Sequence, residues 1–266
     1  MKIYISSDME GIGGVITWEQ ACSEGAAYDR AVALQMGEIN AAVDGAIAAG
    51  AQEVVVADSH WHGRNFRVEQ MDPRAAYYTG TVGKERFPGL DSTFAGMFLV
   101  GYHPMAGTVN GVLSHTWFPE LMRELRVNGI LMGEVGLEAL WAGRFGVPVL
   151  LVTGDEAVCN EAKALLGEVE TAAVKVGVGR YRAKLVAPEV SRRLIREAAV
   201  RAMKKVGSLK PFRLEPPYRV ECTLNRLDAV DAKLRTSRLA KRVDAYALSF
   251  ESDDIASLLH EALEGM

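Results

Sequence analysis

Cysteine is scarce in this chain: Cys22, Cys159 and Cys222 are the only three, and they lie far apart. Such thiols cannot build a disulfide framework, and none belongs to the close pairs of a structural zinc site. A reducing compartment is the expectation. Long apolar runs are also missing. The longest, Val147 to Val152, is far shorter than the roughly 20 residues of a membrane helix. The opening MKIYISSDMEG has no apolar signal core and no cleavage site. The sequence therefore reads as soluble, cytoplasmic and without a membrane partner. It has no internal repeat, no low-complexity segment and no phosphate-cradling GxxxxGK[ST] loop.

What is present is ordinary globular material. Hydrophobic residues are 49% and charged residues 24% of 266, enough for one large α/β domain or two domains. The net charge of −4 is unevenly spread: residues 180 to 242 hold 18 Lys and Arg against 6 Asp and Glu. Without interleaved aromatics or a recognisable motif, this basic stretch is read as solvated helix faces or an oligomer contact, and nucleic acid is not an expected partner.

Short Val-, Ile- and Leu-rich runs at Lys2 to Ser6, Glu53 to Ala57, Met97 to Gly101 and Val147 to Thr153 read as buried strands. They alternate with helical patterns, so the fold class is α/β, a mainly parallel sheet flanked by helices. An Ala-rich helix over about Tyr28 to Ala49 ends at Gly50. GVLSHTW and ELRVNGILM read as short strands, the latter a hairpin through Asn128-Gly129. A helix is expected from near Gly133 to about Phe145. From about residue 170 the units shorten: TAAVKVGVG, a helix over Pro188 to Val206, a strand near Tyr218 to Leu224, AYALSF and a last helix from Asp253. These predict a catalytic α/β domain over 1–170 and a smaller one over 171–266.

The informative feature is where potential metal ligands fall. Asp8 and Glu10 follow the first strand, Asp58, Ser59 and His60 the second, and His103 the third. Open α/β sheets bind ligands beyond the carboxyl ends of their strands, so these loops converge on one crevice. Alternate residues of an extended chain point the same way, which places Asp8 and Glu10 together. Carboxylates mixed with imidazoles suit a borderline divalent ion such as zinc and a two-metal hydrolytic centre. Each element alone is common in structural roles, but four of the five histidines, His60, His62, His103 and His115, lie near predicted strand ends.

With those residues placed, MKIYISSDMEGIGG, VVVADSH, FAGMFLVGYHPMAG, GVLSHTW, NGILMGEVGLEAL, GVPVLLVTGDE and TAAVKVGVGR together resemble the zinc-dependent D-aminopeptidase family of bacterial dipeptide-transport operons. The segments occur in family order over about two thirds of the chain. The resemblance implies a D-stereospecific metallo-aminopeptidase that hydrolyses small peptides, of D-Ala type, through a metal-bound hydroxide. It implies two zinc ions per subunit: Asp8 bridges them, Glu10 and His103 complete one site, and His60 and Glu134 the other. By pattern alone Glu134 reads as an ordinary helix N-terminal charge.

The family also gives His115 a catalytic role, as nucleophile or, on physical grounds, as general acid or base. A homodecamer of two stacked five-membered rings around a channel is implied, with residues 171–266 serving assembly and channel lining. His62 reads as a loop residue or a substrate contact. Asp58 either orients a ligating imidazole or caps its turn, and Asp155 either meets the substrate amine or caps a helix. The spacing from His103 to His115 is slightly longer than the family pattern. The rival functions are a two-metal phosphoesterase and a non-catalytic peptide- or metal-binding component of a transport system.

Overall fold

Strand β1 (Lys2–Ser7) leads through helix α1 (Trp18–Cys22) into the long helix α2 (Ala26–Ala48). Then come β2 (Glu53–Asp58), β3 (Ala76–Tyr78), β4 (Phe94–Tyr102), the hairpin β5 (Met122–Val127) and β6 (Ile130–Leu131), α3 (Glu134–Gly143), β7 (Val149–Asp155) and α4 (Glu156–Leu166). The chain continues through β8 (Glu170–Gly179), β9 (Arg182–Leu185), α5 (Pro188–Met203), β10 (Tyr218–Leu224), α6 (Leu227–Thr236), β11 (Lys241–Arg242), β12 (Ala247–Ser252) and α7 (Ile255–Leu263). The structure, a computed structural model, describes residues 1–22, 24–81 and 85–264. Among these no helix is long and apolar enough to cross a membrane.

Seven strands in the order β3-β2-β1-β4-β7-β8-β9 form one sheet, parallel throughout except for β8 with β9. This is the mainly parallel α/β architecture the alternation predicts. Its central strands are apolar runs because both faces are covered. Ile3, Ile5, Val54, Val56, Phe98 and Val100 pack with α2 and α5, while Tyr4, Val55, Leu99 and Val152 pack on the opposite face with α3 and α4. Gly45 lets α2 and α5 touch: a Cβ there would stand 2.6 Å from both Ala199 Cβ and Arg196 O.

A second, antiparallel sheet runs β11-β12-β10-β5-β6. Its layout differs from the expected division at 170. Strands β8 and β9 extend the first sheet, and β5 and β6, from the first half of the chain, belong to the second. The reason is packing. The apolar face of TAAVKVGVG completes the parallel sheet beside β7, and α5 buries Ile195, Ala198 and Ala199 with α2. Val220, Leu248 and Phe250 of the second sheet share one core with Leu99 and Val152 of the first.

The predicted hairpin is present, with Asn128 and Gly129 both left-handed (φ 51° and 81°), as a two-residue turn between twisted strands requires. GVLSHTW is not a strand. It is a chain of turns in which Leu113 (φ 49°) and Trp117 (φ 58°) are left-handed, held there by tertiary contacts described below. In the basic stretch, Arg196 pairs with Asp44, Arg201 and Lys205 with Glu170, and Arg242 with Asp231. These are exposed or half-exposed pairs of the kind a solvated helix face carries.

Candidate metal centre

The strand order reverses at β1: β2 and β3 lie to one side, β4 and β7 to the other. A crevice must open there beyond the carboxyl ends. Asp8 and Glu10 enter it after β1, His60 after β2 and His103 after β4. Glu134, the first residue of α3, and His115, on the turn-rich loop, approach from the opposite wall. None of the six exposes more than 7% of its surface.

The loop after β1 is built to hold its two acids. Asp8 N and Gly11 N donate to Val100 O and Gly101 O at 2.8 Å. A Cβ on Gly11 would lie 1.9 Å from Tyr102 O, so only glycine lets the two loops meet. Lys175 reaches beneath the loop from β8 and donates to Glu10 O (2.5 Å), Ile12 O (3.0 Å) and Val15 O (2.6 Å). Gln35 donates to Asp8 O, and Glu38 accepts from Gly13 N at 3.0 Å.

The six side chains form one connected cluster. Asp8 Oδ1 is 2.9 Å from His60 Nδ1, and Asp8 Oδ2 is 3.4 Å from His103 Nε2. Glu10 Oε2 lies 3.1 Å from His60 Nδ1, and Glu134 Oε1 lies 3.3 Å from His103 Nε2 and 3.7 Å from His115 Nε2. The closest contact is between Asp8 and His60; of the two glutamates, Glu10 lies nearest His60 and Glu134 nearest His103. Asp8, Glu10 and His103 also offer ligand atoms within 4.8 Å of one another.

Backbone carbonyls set the imidazole tautomers. The His60 Nε2–H faces Ala21 O (2.8 Å), the His103 Nδ1–H Pro104 O (3.1 Å) and the His115 Nδ1–H Leu113 O (2.8 Å). In each ring the other nitrogen is turned toward the carboxylates, an orientation typical of metal-ligating histidines. The segment between His103 and His115 closes back on itself: His115 N donates to Pro104 O, and the two rings stack with centroids 3.8 Å apart.

The electrostatics call for positive charge. Burial, and then the neighbouring Glu10, push the Asp8 carboxyl up to about 7. For Glu134, burial is outweighed by His103 and the Trp117 N–H, and its pKa falls to about 2. His103 rises to about 10 because Glu134, Asp8 and Glu10 overcome its burial. His115 moves the other way, to about 4, through burial and the neighbouring His103. Asp8 Oδ2, Glu10 Oε2 and His103 Nε2 are buried with no hydrogen-bond partner, although buried polar atoms are nearly always paired. Two oxygens and a nitrogen orphaned in one space fit a divalent cation of zinc type.

Asp58 caps its turn, accepting from His60 N, Asn65 N and Asn65 Nδ2; the His60 ring is oriented by Ala21 O instead. Asp155 does two things. Its Oδ1 accepts from Val158 N as the N-cap of α4, and its Oδ2 accepts from Val112 N at 2.7 Å, tethering the His115 loop. His62 is half-buried and stacks on Trp61.

Several neighbours carry no local signal in the sequence. Cys22 Sγ lies 4.0 Å from Glu10 Oε1 and 3.9 Å from His60 Nε2, although no cysteine occurs in the ligand loops themselves. Arg86 pairs with buried Glu138, one turn beyond Glu134. The cleft that contains the cluster measures about 720 Å³ and is lined also by all four tryptophans, Trp18, Trp61, Trp117 and Trp141, with Phe118 and Leu263.

A parallel α/β sheet whose switch point carries buried carboxylates and imidazoles, opening on an aromatic cleft, defines a metallohydrolase of the α/β class. The chain belongs to the D-aminopeptidase family, peptidase M55, whose profile matches residues 1–263. A D-aminopeptidase of Bacillus subtilis (strain 168) is 38% identical over 220 residues, 82% of this chain and 79% of that protein. The solved structure of the zinc-dependent D-aminopeptidase DppA from Bacillus subtilis, a self-compartmentalizing protease, superposes with a TM-score of 0.94 at 31% identity, covering 99% of this chain and 96% of that one.

Proposed function

We propose that this D-aminopeptidase removes N-terminal D-amino acids, D-alanine among them, from small peptides, using two zinc ions per subunit held by Asp8, Glu10, His60, His103 and Glu134. The placement of Asp8 carries the proposal. Its two oxygens face different imidazoles, at 2.9 Å and 3.4 Å, as a carboxylate shared by two cations must. Glu10 and His103 are assigned to one ion and His60 and Glu134 to the other; the Asp8, Glu10 and His103 grouping supports the first set, while Glu10 also groups with Cys22 and His60, and Glu134 with His103 and His115. Zinc bound there supplies Lewis acidity toward the scissile carbonyl and lowers the pKa of coordinated water to about 7.

His115 moves the proton. Its Nδ1–H is committed to Leu113 O, so Nε2 is the nitrogen left for chemistry. From Nε2 the ring can take a proton from the attacking water and return it to the leaving amine. Trp18 stands edge-on to the ring at 5.1 Å and screens it from solvent.

Metal analysis should return two zinc ions per subunit, and Asp8→Asn should lose both together. D-Ala-D-Ala should be cleaved and L-Ala-L-Ala left intact. His115→Ala should lower turnover by about 10²- to 10⁴-fold at unchanged zinc content; full activity in that variant would remove His115 from the mechanism. Subunits are proposed to assemble as a homodecamer with residues 171–266 at its contacts and channel. The self-compartmentalizing neighbour supports this, and the mass in solution tests it. A cytoplasmic setting accords with three unpaired cysteines.

A further inference from the structure

Among the described residues lining the cleft, Arg86 is the only Lys or Arg, whereas Asp8, Glu10, Glu134 and Glu264 are all acidic. Its side chain is 11% exposed, and its guanidinium lies 5.4 Å from the centroid of the Trp117 ring. Glu138 Oε1 accepts from both Nε and Nη2, and Ser59 O takes a long 3.4 Å contact from Nη1. A guanidinium has five N–H groups. Those three contacts use one N–H each and leave two, one on each Nη, without an acceptor among the described residues. They can donate to a carboxylate.

Its position relative to the metal cluster is also informative. Ser59 immediately precedes His60, and Glu138 follows Glu134 by one helical turn, so both contacts of Arg86 are neighbours of the cluster. In a dipeptide only one residue, about 3.8 Å of chain, separates the scissile bond from the terminal carboxylate. We infer that Arg86 binds the α-carboxylate at the substrate's C-terminus, which makes the enzyme selective for dipeptides with a free C-terminus over amides and long peptides. This inference rests on the D-aminopeptidase reading of the metal cluster given above.

The test compares D-Ala-D-Ala with its C-terminal amide. Wild-type enzyme should favour the free acid by about 30-fold in kcat/KM, equivalent to about 2 kcal/mol for a charge-assisted pair, mostly through KM. Arg86→Gln alone strands the buried Glu138 carboxylate, so the informative variant is Arg86→Gln with Glu138→Gln, which leaves no unpaired charge. It should cut the preference to within about threefold while amide turnover changes little. Equal wild-type rates on acid and amide would overturn the carboxylate assignment and leave the D-aminopeptidase reading standing. So would a preference that survives in the double variant, or an equal loss on both substrates, which marks Arg86 as structural. Failure of the wild type to cleave either compound would overturn the underlying reading and this inference with it.

Discussion

Lys175→Met is the most telling perturbation away from the metal ligands. The ammonium is buried, has no salt bridge among the described residues, and spends its three N–H groups on the carbonyls of Glu10, Ile12 and Val15. Burial draws its pKa down to about 8, which still leaves it charged at pH 7. Methionine has similar length and no donor. Leaving buried acceptors unpaired costs about 1–3 kcal/mol each, while relief from burying the ammonium returns about 3 kcal/mol. With three acceptors the net loss is about 0–6 kcal/mol, near 3 in the middle of that range, a large part of an ordinary domain's 5–15 kcal/mol. Because Glu10 is one of the three anchored residues, zinc affinity should also fall, by about 10- to 100-fold, as when groups supporting metal ligands are removed. Urea unfolding of the zinc-stripped protein gives the first quantity and competition with a chelator the second. A midpoint unchanged from wild type, with unchanged zinc affinity, would refute the role assigned to Lys175.

Two further predictions concern neighbouring acids. Burial raises the Glu38 carboxyl from 4.5 to about 7, so between these values the folded state binds more protons than the unfolded one. The stability this confers is full below pH 4.5 and lost as pH rises through 7. Glu38→Gln can keep the acceptor for Gly13 N, so it should match wild type near pH 4.5 and be about 2–3 kcal/mol more stable at pH 8; thermal melts at both pH values check it, and a pH-independent difference would be wrong for this cause. Asp155→Ala should cost about 2 kcal/mol, about 1 from the lost α4 cap and about 1 from the bond to Val112 N. Turnover should fall about tenfold at unchanged zinc content, for a shift of His115 by a fraction of an ångström, and assay beside metal analysis would expose any coupled zinc loss.

The central strands were legible because burial on both faces writes itself as unbroken apolar runs, and the polar residues that end those runs mark the crevice. Asp8, Glu10, His60 and His103 are found together for that reason. Glu134 carries no such signal: a carboxylate at a helix start looks the same whether it complements a dipole or faces an imidazole, and only family likeness singled it out. The second sheet draws strands from both sides of residue 170 because β5 pairs with β10, far along the chain, and no local pattern records so distant a register. GVLSHTW read as a strand since its Val and Leu are buried, but the turns are imposed by Asp155, Arg180 and Glu134 through their bonds to Val112, Leu113 and Trp117. Arg86 with Glu138 and Cys22 with His60 were invisible likewise, each pair joining distant segments.

The two kinds of chemistry at this site have different mechanical origins. The proposed metal ligands that lie at strand ends inherit the rigidity of the sheet. His115 does not; it sits on a loop in which three non-glycine residues, Asn110, Leu113 and Trp117, are left-handed, each costing about 1–3 kcal/mol. A loop so strained would relax unless its alternatives were closed, and the bonds that close them come from the end of β7 (Asp155), the turn after β8 (Arg180), the exit of β4 (Pro104) and the start of α3 (Glu134). Three of these anchors belong to the sheet that carries Asp8 and His103. The ring proposed to transfer the proton is therefore referenced to the same framework as the proposed cation-binding cluster, which is why an irregular loop can hold His115 stacked on His103 without a strand beneath it.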